Sequence, residues 1–110
     1  MEQHNHKRAL VTKGSDIKLA ITVTSLGDGV KISDSGVDLQ VKISVLNHDE
    51  YFQKSALTPL TDDTYILPLN TSIYPRGDMF ITTQIIVPDT DFPGGTRTEV
   101  QTNDTGITLI

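Results

Sequence analysis

A long stretch of β-forming residues at positions 77–100 is the feature that most constrains how this chain can fold. Residues 79–87 are dense in β-branched and aromatic side chains, and Pro88 ends the run because proline has no N–H to donate to a neighbouring strand. Gly94-Gly95 then supplies conformational freedom before a second run of strand residues begins. The stretch therefore predicts a β-hairpin. Because its first strand is apolar on both alternations, that strand is predicted to lie in a sheet covered on both faces.

Apolar and polar residues alternate plainly in other parts of the chain. Residues 17–24 and 37–45 have an aliphatic side chain at every second position, which predicts strands with one buried and one wet face. Shorter strands are predicted at residues 9–11, 51–54 and 65–69. Pro68 restricts the last of these to a sheet edge or a strand end.

Clusters of Gly, Asn, Asp and Ser separate these strands, and they recur roughly every 8 to 12 residues. They predict a loop at residues 25–36 and turns at residues 47–50, 61–64 and 103–106. No window has the 3.6-residue apolar period of a helix.

These patterns together predict an all-β fold. Short strands with regular turn signals are typical of an antiparallel immunoglobulin-like β-sandwich, and we expect one such domain over residues 9–110. Residues 1–8 are polar and unpatterned, which predicts a flexible N-terminal arm.

Length and composition narrow the possible functions. The 110 residues fit one domain, and the absence of cysteine excludes a disulfide framework and a thiolate metal site. The net charge of -5 and pI near 4.9 argue against a nucleic-acid partner, since that affinity comes largely from Lys and Arg on phosphates. With no apolar leader and no run of about 18 apolar residues, we expect no membrane partner, and synthesis in a host cytoplasm without a signal peptide.

Catalytic or metal chemistry finds little support in the residue pattern. His48 lies between turn-forming residues, where a polar side chain is expected for structural reasons. His4 and His6 lack the further ligands of a structural metal site, and Asp89 and Asp91 do not have the spacing of a calcium loop. We therefore expect no catalytic residue, no cofactor and no metal. A hydrolase would require a pocket that pairs His48 with a carboxylate.

Two further features bear on binding. A saccharide-binding module displays exposed aromatic side chains as stacking platforms, but Tyr51, Tyr65 and Tyr74 are more simply interpreted as core or rim residues. The last residues, 107–110, are mostly apolar, whereas chain ends are commonly polar and frayed. They are expected to form either a last strand of the fold or a strand offered to a neighbouring molecule.

Three segments share a pattern of turn and strand residues with a known class of protein. They are Gly-Asp-Met at residues 77–79, Val-Pro-Asp-Thr-Asp-Phe-Pro-Gly-Gly-Thr-Arg at residues 87–97, and Thr-Gly-Ile-Thr-Leu at residues 105–109. The pattern resembles small immunoglobulin-like domains of tailed-phage virion proteins, mainly those of crAss-like and related phages. It is similar, more loosely, to the N-terminal domain of phage baseplate upper proteins. The resemblance implies an assembling, structural role without catalytic residues.

The function expected from this resemblance is that of a non-enzymatic phage virion structural protein. It would be an auxiliary or decoration protein of the capsid, or a small adaptor at a fibre or tail attachment site. Its partners would be other virion proteins in an oligomeric assembly, and the alternative function is a carbohydrate- or receptor-binding module. The residues predicted to contact a partner are Pro88, Asp89, Asp91, Phe92, Ile107, Leu109 and Ile110.

We predict that Val41→Asp destabilises the protein more than any substitution in residues 1–8. Val41 lies mid-strand on the predicted inward face, and an unpaired buried carboxylate costs several kcal/mol out of a total of roughly 5–15 kcal/mol. Thermal unfolding followed by circular dichroism measures the effect. An unchanged melting temperature would mean that the inward face has been assigned backwards.

Overall fold

The computed structural model describes residues 7–24, 26–27 and 29–110. Within these ranges the helical segments are single 3-10 turns, at Lys54–Ala56 and Thr71–Ile73, and no helix is long and apolar enough to cross a membrane. Most of the described chain lies in eight strands: β1 Ala9–Val11, β2 Asp16–Thr22, β3 Asp38–Val45, β4 His48–Gln53, β5 Thr58–Pro59, β6 Thr64–Asn70, β7 Gly77–Pro88 and β8 Thr96–Leu109.

The strands form two sheets of unequal width. The large sheet has five strands in the order β1-β8-β7-β3-β4, and the small sheet has three in the order β2-β6-β5. Neighbouring strands are antiparallel except for β1, which runs parallel to β8. Side chains from both sheets meet in one hydrophobic core. The all-β prediction is therefore confirmed, and the two sheets are compatible with a sandwich.

Alternate side chains of the long strands build the core. Val41, Ile43 and Val45 of β3 are fully buried, as the period of two in residues 37–45 predicts. The small sheet covers them with the inward side chains of β2 and β6, which are Leu19, Ile21, Tyr65, Leu67 and Leu69.

The predicted hairpin is the longest pairing in the structure. β7 and β8 are antiparallel from Gly77 opposite Leu109 to Pro88 opposite Thr96, and the connecting loop contains Gly94-Gly95. Both glycines have positive φ, 89° and 80°, a conformation that L side chains rarely adopt. This confirms the role that the sequence pattern assigns to the glycine pair.

The outer face of β7 is not covered, and the prediction of a strand buried on both faces is wrong. Met79 and Ile85 on the inner face are fully buried, whereas Phe80 on the outer face is 40% exposed. Ile86 on that face is only half-buried. The reason is that the small sheet packs against one face of the large sheet, so apolar side chains on the other face remain accessible to water.

The turn predicted at residues 103–106 is also wrong, because β8 continues through it as a bulge. Met79 lies opposite Ile107 while the next residue, Phe80, lies opposite Asp104, so β8 contains two additional residues at this point. One of them is Gly106, with a positive φ of 78°. The Thr105 hydroxyl donates a hydrogen bond of 2.7 Å to the Met79 carbonyl and holds the bulge against β7.

Other boundaries differ less from the prediction. The turn expected at residues 47–50 is formed earlier, by Leu46 and Asn47, and β4 already begins at His48. β6 is the central strand of the small sheet rather than an edge strand, but Pro68 lies near its end, in the part that pairs with β2 alone. The loop expected at residues 25–36 contains no strand where it is described, and Ser25 and Asp28 lie outside the described residues.

The predicted arm at residues 1–8 is described only from residue 7 onward. His4 and His6, and any metal site involving them, therefore lie outside the described residues. Arg8 belongs to the folded domain rather than to an arm. Its guanidinium makes two hydrogen bonds of 2.7 and 2.8 Å to the Asp104 carboxylate and a third, of 3.0 Å, to the Ile107 carbonyl.

The end of the chain is paired within the fold. Residues 107–109 of β8 lie between β7 on one side and β1 on the other. Beyond β8, the Ile110 N–H donates to the Val11 carbonyl at 2.9 Å, and its carbonyl accepts from the Lys13 N–H at 3.0 Å. Of the two alternatives for this segment, the structure shows the last strand of the fold.

Deleting residues 107–110 should lower the melting temperature of the isolated protein. The deletion removes the pairing of β1 and the Leu109 side chain, which is 1% exposed, and losing a buried leucine side chain alone typically costs about 2–5 kcal/mol. Differential scanning calorimetry measures the change. Leu10→Ala is the control, because Leu10 is 66% exposed and its truncation should leave the melting temperature nearly unchanged. A truncated protein that melts like the full-length chain would contradict the structural role of this segment.

Candidate functional site

The predicted contact residues fall at two separate places. Pro88 begins the loop at one end of the β7–β8 hairpin, whereas Leu109 lies opposite Gly77 at the other end. The 12 residues of β7 separate these ends by roughly 35–40 Å, given about 3.4 Å per residue in an antiparallel strand. The structure therefore does not bring the predicted residues together into one surface.

The hairpin loop, residues 88–95, is held by its own hydrogen bonds. The Asp89 carboxylate accepts from the Asp91 N–H at 3.0 Å, and the Asp89 N–H donates to the Gly95 carbonyl at 2.8 Å. The first of these bonds, together with the Arg97 guanidinium, lowers the pKa of Asp89. Phe92 lies at the outer part of this loop and is 48% exposed. The loop thus presents an aromatic side chain on an ordered backbone.

Arg97 fixes this loop to the rest of the domain, and the sequence analysis did not identify it. Its guanidinium contacts the carboxylates of Asp89 and Glu99, each at 3.0 Å, and donates to the Leu26 carbonyl. These carboxylates raise the pKa of Arg97. The signal in the sequence is a single arginine between an acidic residue of the hairpin loop and another on the following strand.

The C-terminal residues offer less surface than predicted. Leu109 is 1% exposed and points into the core, so it presents no side chain to a partner, and its assignment to the interface is corrected. Ile107 is half-buried and packs against the core. Ile110 is 48% exposed and is the one residue of the three with substantial accessible area. Residues 107 and 109 lie on the same, inward face of β8, which is why their side chains have little accessible area.

A cluster of charged and polar side chains covers the outer face near the bulge. The Arg8 guanidinium lies 2.7 Å from the Asp104 carboxylate and 3.2 Å from that of Asp78, and it also donates to the Thr108 hydroxyl at 2.6 Å. Hydrogen bonds from Arg8 and then from the Gly106 N–H lower the pKa of Asp104 to about 2. The cluster ties the chain segment before β1 to β8.

The small sheet leaves one edge of β2 open. Within the described residues β2 pairs with β6 alone. The Ser15 carbonyl and the Val23 N–H are both bonded toward the β6 side, to Thr71 and Asp63. Since backbone groups alternate in direction along a strand, the N–H and C=O groups of the even-numbered residues of β2 point away from β6.

A groove runs along this open edge, between β2 and the β7–β8 pair of the facing sheet. It has a volume of about 250 Å³, and its lining includes Ile81, Thr83, Gln101 and Asn103 as well as β2 itself. Gln101 and Asn103 lie on the inner side of β8 but are exposed, since no strand of the described residues covers them. The groove therefore combines unpaired backbone groups with a polar lining whose one carboxylate, that of Asp104, is paired with Arg8.

The outer face of the large sheet is a second accessible surface. Tyr51 on β4 and Val100 on β8 are 59% and 60% exposed, and a shallow depression of about 250 Å³ lies between them. Tyr65 and Tyr74 are buried, as their interpretation as core residues predicts. Tyr51 is thus the tyrosine that remains available for binding.

His48 pairs with a carboxylate, one of the two features that a hydrolase would require. Its Nε2 lies 2.7 Å from the Glu50 carboxylate, and its ring packs edge-on against Tyr74 with centroids 5.4 Å apart. Neither residue lines the groove beside β2 or the depression on the outer face of the large sheet. Burial, followed by the charge of Glu50, raises the pKa of the Tyr74 hydroxyl, which keeps that group protonated.

Metal binding gains no support from the described side chains. Among residues 7–24, 26–27 and 29–110, no group of three or more His, Asp or Glu residues is arranged to hold an ion. Asp89, which the sequence analysis considered for calcium, is already bonded to Arg97 and to the Asp91 N–H.

Comparisons with protein-family models, curated proteins and solved structures found no match to this chain.

The stabilising effect of the Arg8–Asp104 pair should disappear in acid. Because the folded-state pKa of Asp104 is about 2 and its ordinary value is 3.8, the contribution is present above pH 4 or so and is lost as pH falls toward 2. The melting temperature of the natural protein should exceed that of Asp104→Asn at about pH 6, and the difference should shrink near pH 2. Asp49→Asn, at an exposed position, is the control. A difference that stays constant from pH 6 to pH 2 would contradict this assignment.

Proposed function

We propose that this chain is a non-enzymatic structural protein of a phage virion that acts by docking to other virion proteins. It would serve as an auxiliary or decoration protein of the capsid, or as a small adaptor at a fibre or tail attachment site. The observation that supports docking most directly is the open edge of β2 with the groove beside it. The assignment to a virion has a separate basis, the resemblance of residues 77–79, 87–97 and 105–109 to phage domains.

The same proposal includes an immunoglobulin-like arrangement of the two sheets. An immunoglobulin domain has strands B, E and D side by side in one sheet, and strands G, F and C in the other, with C′ beside C in the variable type. The orders β2-β6-β5 and β8-β7-β3-β4 correspond to these. β1 departs from the constant-type pattern, because it pairs with β8 of the large sheet rather than with β2.

An extended segment of a partner could pair with the open edge of β2. The backbone groups of Lys18, Ala20 and Thr22 that point away from β6 would form the ladder, as in other cases of strand addition to a sheet edge. Asp104, the one carboxylate among the residues that line the groove, is already paired with Arg8. The partner's inward side chains would therefore meet polar groups and one carboxylate whose charge Arg8 compensates.

The hairpin loop provides a second contact at one end of the molecule. Phe92 is exposed on a backbone that Asp89 and Arg97 hold in place, so little conformational entropy is lost when the ring is buried by a partner. Aromatic side chains of this kind are enriched at the energetic centres of protein interfaces.

A carbohydrate- or receptor-binding module is the alternative function. It would use the outer face of the large sheet, where Tyr51 is accessible.

Ala20→Pro should abolish docking without unfolding the domain. Proline removes an N–H that points away from β6, so the pairing of β2 with β6 is retained while the ladder to a partner is interrupted. Ala20→Val is the matched control, because it changes the same side chain but keeps the N–H. Mass spectrometry of purified phage particles is expected to find the natural protein and the valine variant at a fixed copy number, and to find the proline variant depleted.

The melting temperatures of both variants must be close to that of the natural protein for this comparison to hold. Absence of the natural protein from particles would contradict the virion assignment. Normal incorporation of a folded Ala20→Pro variant would instead contradict docking through β2.

A further inference from the structure

A row of three glutamines crosses the outer face of the large sheet. Gln40 of β3 lies directly opposite Gln84 of β7 on one side and Gln53 of β4 on the other. Since adjacent strands are about 4.8 Å apart and paired residues point to the same face, the three carboxamides form a regular line. Gln40 and Gln84 are half-buried and Gln53 is exposed, so all three are accessible to a ligand.

The neighbouring row contains a hydroxyl, an ammonium and an aromatic ring. Lys42 lies opposite Thr82 on one side and Tyr51 on the other, two positions along β3 from Gln40. The shallow depression of about 250 Å³ is formed by residues of these two rows together with Val100. The face is thus a compact group of polar side chains around one flat ring.

These polar groups are largely unused within the protein. The Thr82 hydroxyl is 3.0 Å from that of Thr102, but no hydrogen bond joins the three carboxamides to another side chain of the described residues. All ion pairs within the described part of the chain involve other cations, so the Lys42 ammonium has no carboxylate partner there. A ligand could therefore bind these groups without displacing an existing contact.

The chemistry of the two rows selects a class of ligand. A carboxamide both donates and accepts hydrogen bonds, as does each hydroxyl of a sugar, so a line of carboxamides can satisfy a series of sugar hydroxyls. The Tyr51 ring offers a flat apolar surface with a polar end. Lys42 is a single positive charge without a partner, which favours a ligand that carries a carboxylate. A nucleic acid would need several cations on its phosphates, and Lys42 is the one cation in these two rows.

We infer that this face binds an acidic oligosaccharide. The Lys42 ammonium pairs with the carboxylate of a uronic acid, Gln40, Gln53 and Gln84 bond to hydroxyls, and a sugar ring packs against Tyr51. The site lies on the face of the large sheet that points away from the small sheet, so it is separate from the β2 edge. Its binding and the docking function can therefore be tested independently.

Titration of the full-length ¹⁵N-labelled protein tests this inference by nuclear magnetic resonance. The probes are hexasaccharides of galacturonic acid and of mannuronic acid, with a glucose hexasaccharide as the neutral comparison. At least one acidic probe is expected to shift the amide signals of Gln40, Lys42, Tyr51 and Gln84. It should bind about 1.5- to fivefold more tightly than the neutral probe, the range expected for one exposed ion pair, and this preference should weaken at high salt.

Two substitutions with matched controls make the test specific. Lys42→Gln should remove the preference for the acidic probe, whereas Lys13→Gln, in the turn between β1 and β2, should leave it unchanged. Tyr51→Ala should weaken binding of every probe, and Tyr51→Phe should retain most of it, because the ring remains. Dispersed spectra of the variants establish that each is folded.

Three outcomes would overturn the inference. They are the absence of any shift at these residues with both acidic probes, equal affinity for the neutral probe, and an acidic preference that survives Lys42→Gln. Saccharide binding by a folded Ala20→Pro variant would show that the site works independently of strand docking at β2. Its loss in that variant, with spectra still native, would contradict the separation of the two surfaces.

Discussion

The pairing of β7 with β3 on one side and with β8 on the other is the constraint on which the rest of the structure depends. β7 places Met79, Ile85 and Val87 fully out of water, against the inward side chains of the small sheet. β4 joins the large sheet only through β3, and β1 joins it only through β8. A change that shifts β7 along its neighbours by one residue would move its buried side chains to the solvent side. The surfaces proposed for binding therefore depend on this register, and β7 contributes Thr83 to the groove beside β2 and Gln84 to the glutamine row.

The positions of the long strands were predictable because alternation is a local property of the chain. Residues 37–45 and 17–24 have the period of two that a half-buried strand requires, and β3 and β2 lie there. Whether the second face of a strand is covered is not local. Phe80 and Ile86 are apolar, yet they lie on an open face because the opposite sheet has three strands and sits on one side only. The sequence alone does not show which faces of a strand the opposite sheet covers.

The exposure of the hairpin loop was predictable because it depends on turn chemistry, whereas surfaces that depend on topology were not. Most of residues 88–95 are exposed, as their glycines and prolines indicate. The open edge of β2 arises because β6 is its one neighbour among the described strands, and the glutamine row follows from the register of β4, β3 and β7, which are distant in sequence. The roles of Arg8 and Arg97 were not predictable, because only the fold places their partners Asp104 and Asp89 beside them.

The bulge in β8 has a consequence for how such a chain can vary. It contains two extra residues, Thr105 and Gly106, so the inward and outward positions on either side of it remain in phase. An insertion of a single residue would turn the strand over and expose Leu109, but a pair of residues changes only the length of the strand. The alternation of apolar residues in the sequence therefore gives no sign of the bulge. At this point a homologue could gain or lose a dipeptide and keep the same residues in its core, provided that the Met79 carbonyl still found a hydrogen-bond donor.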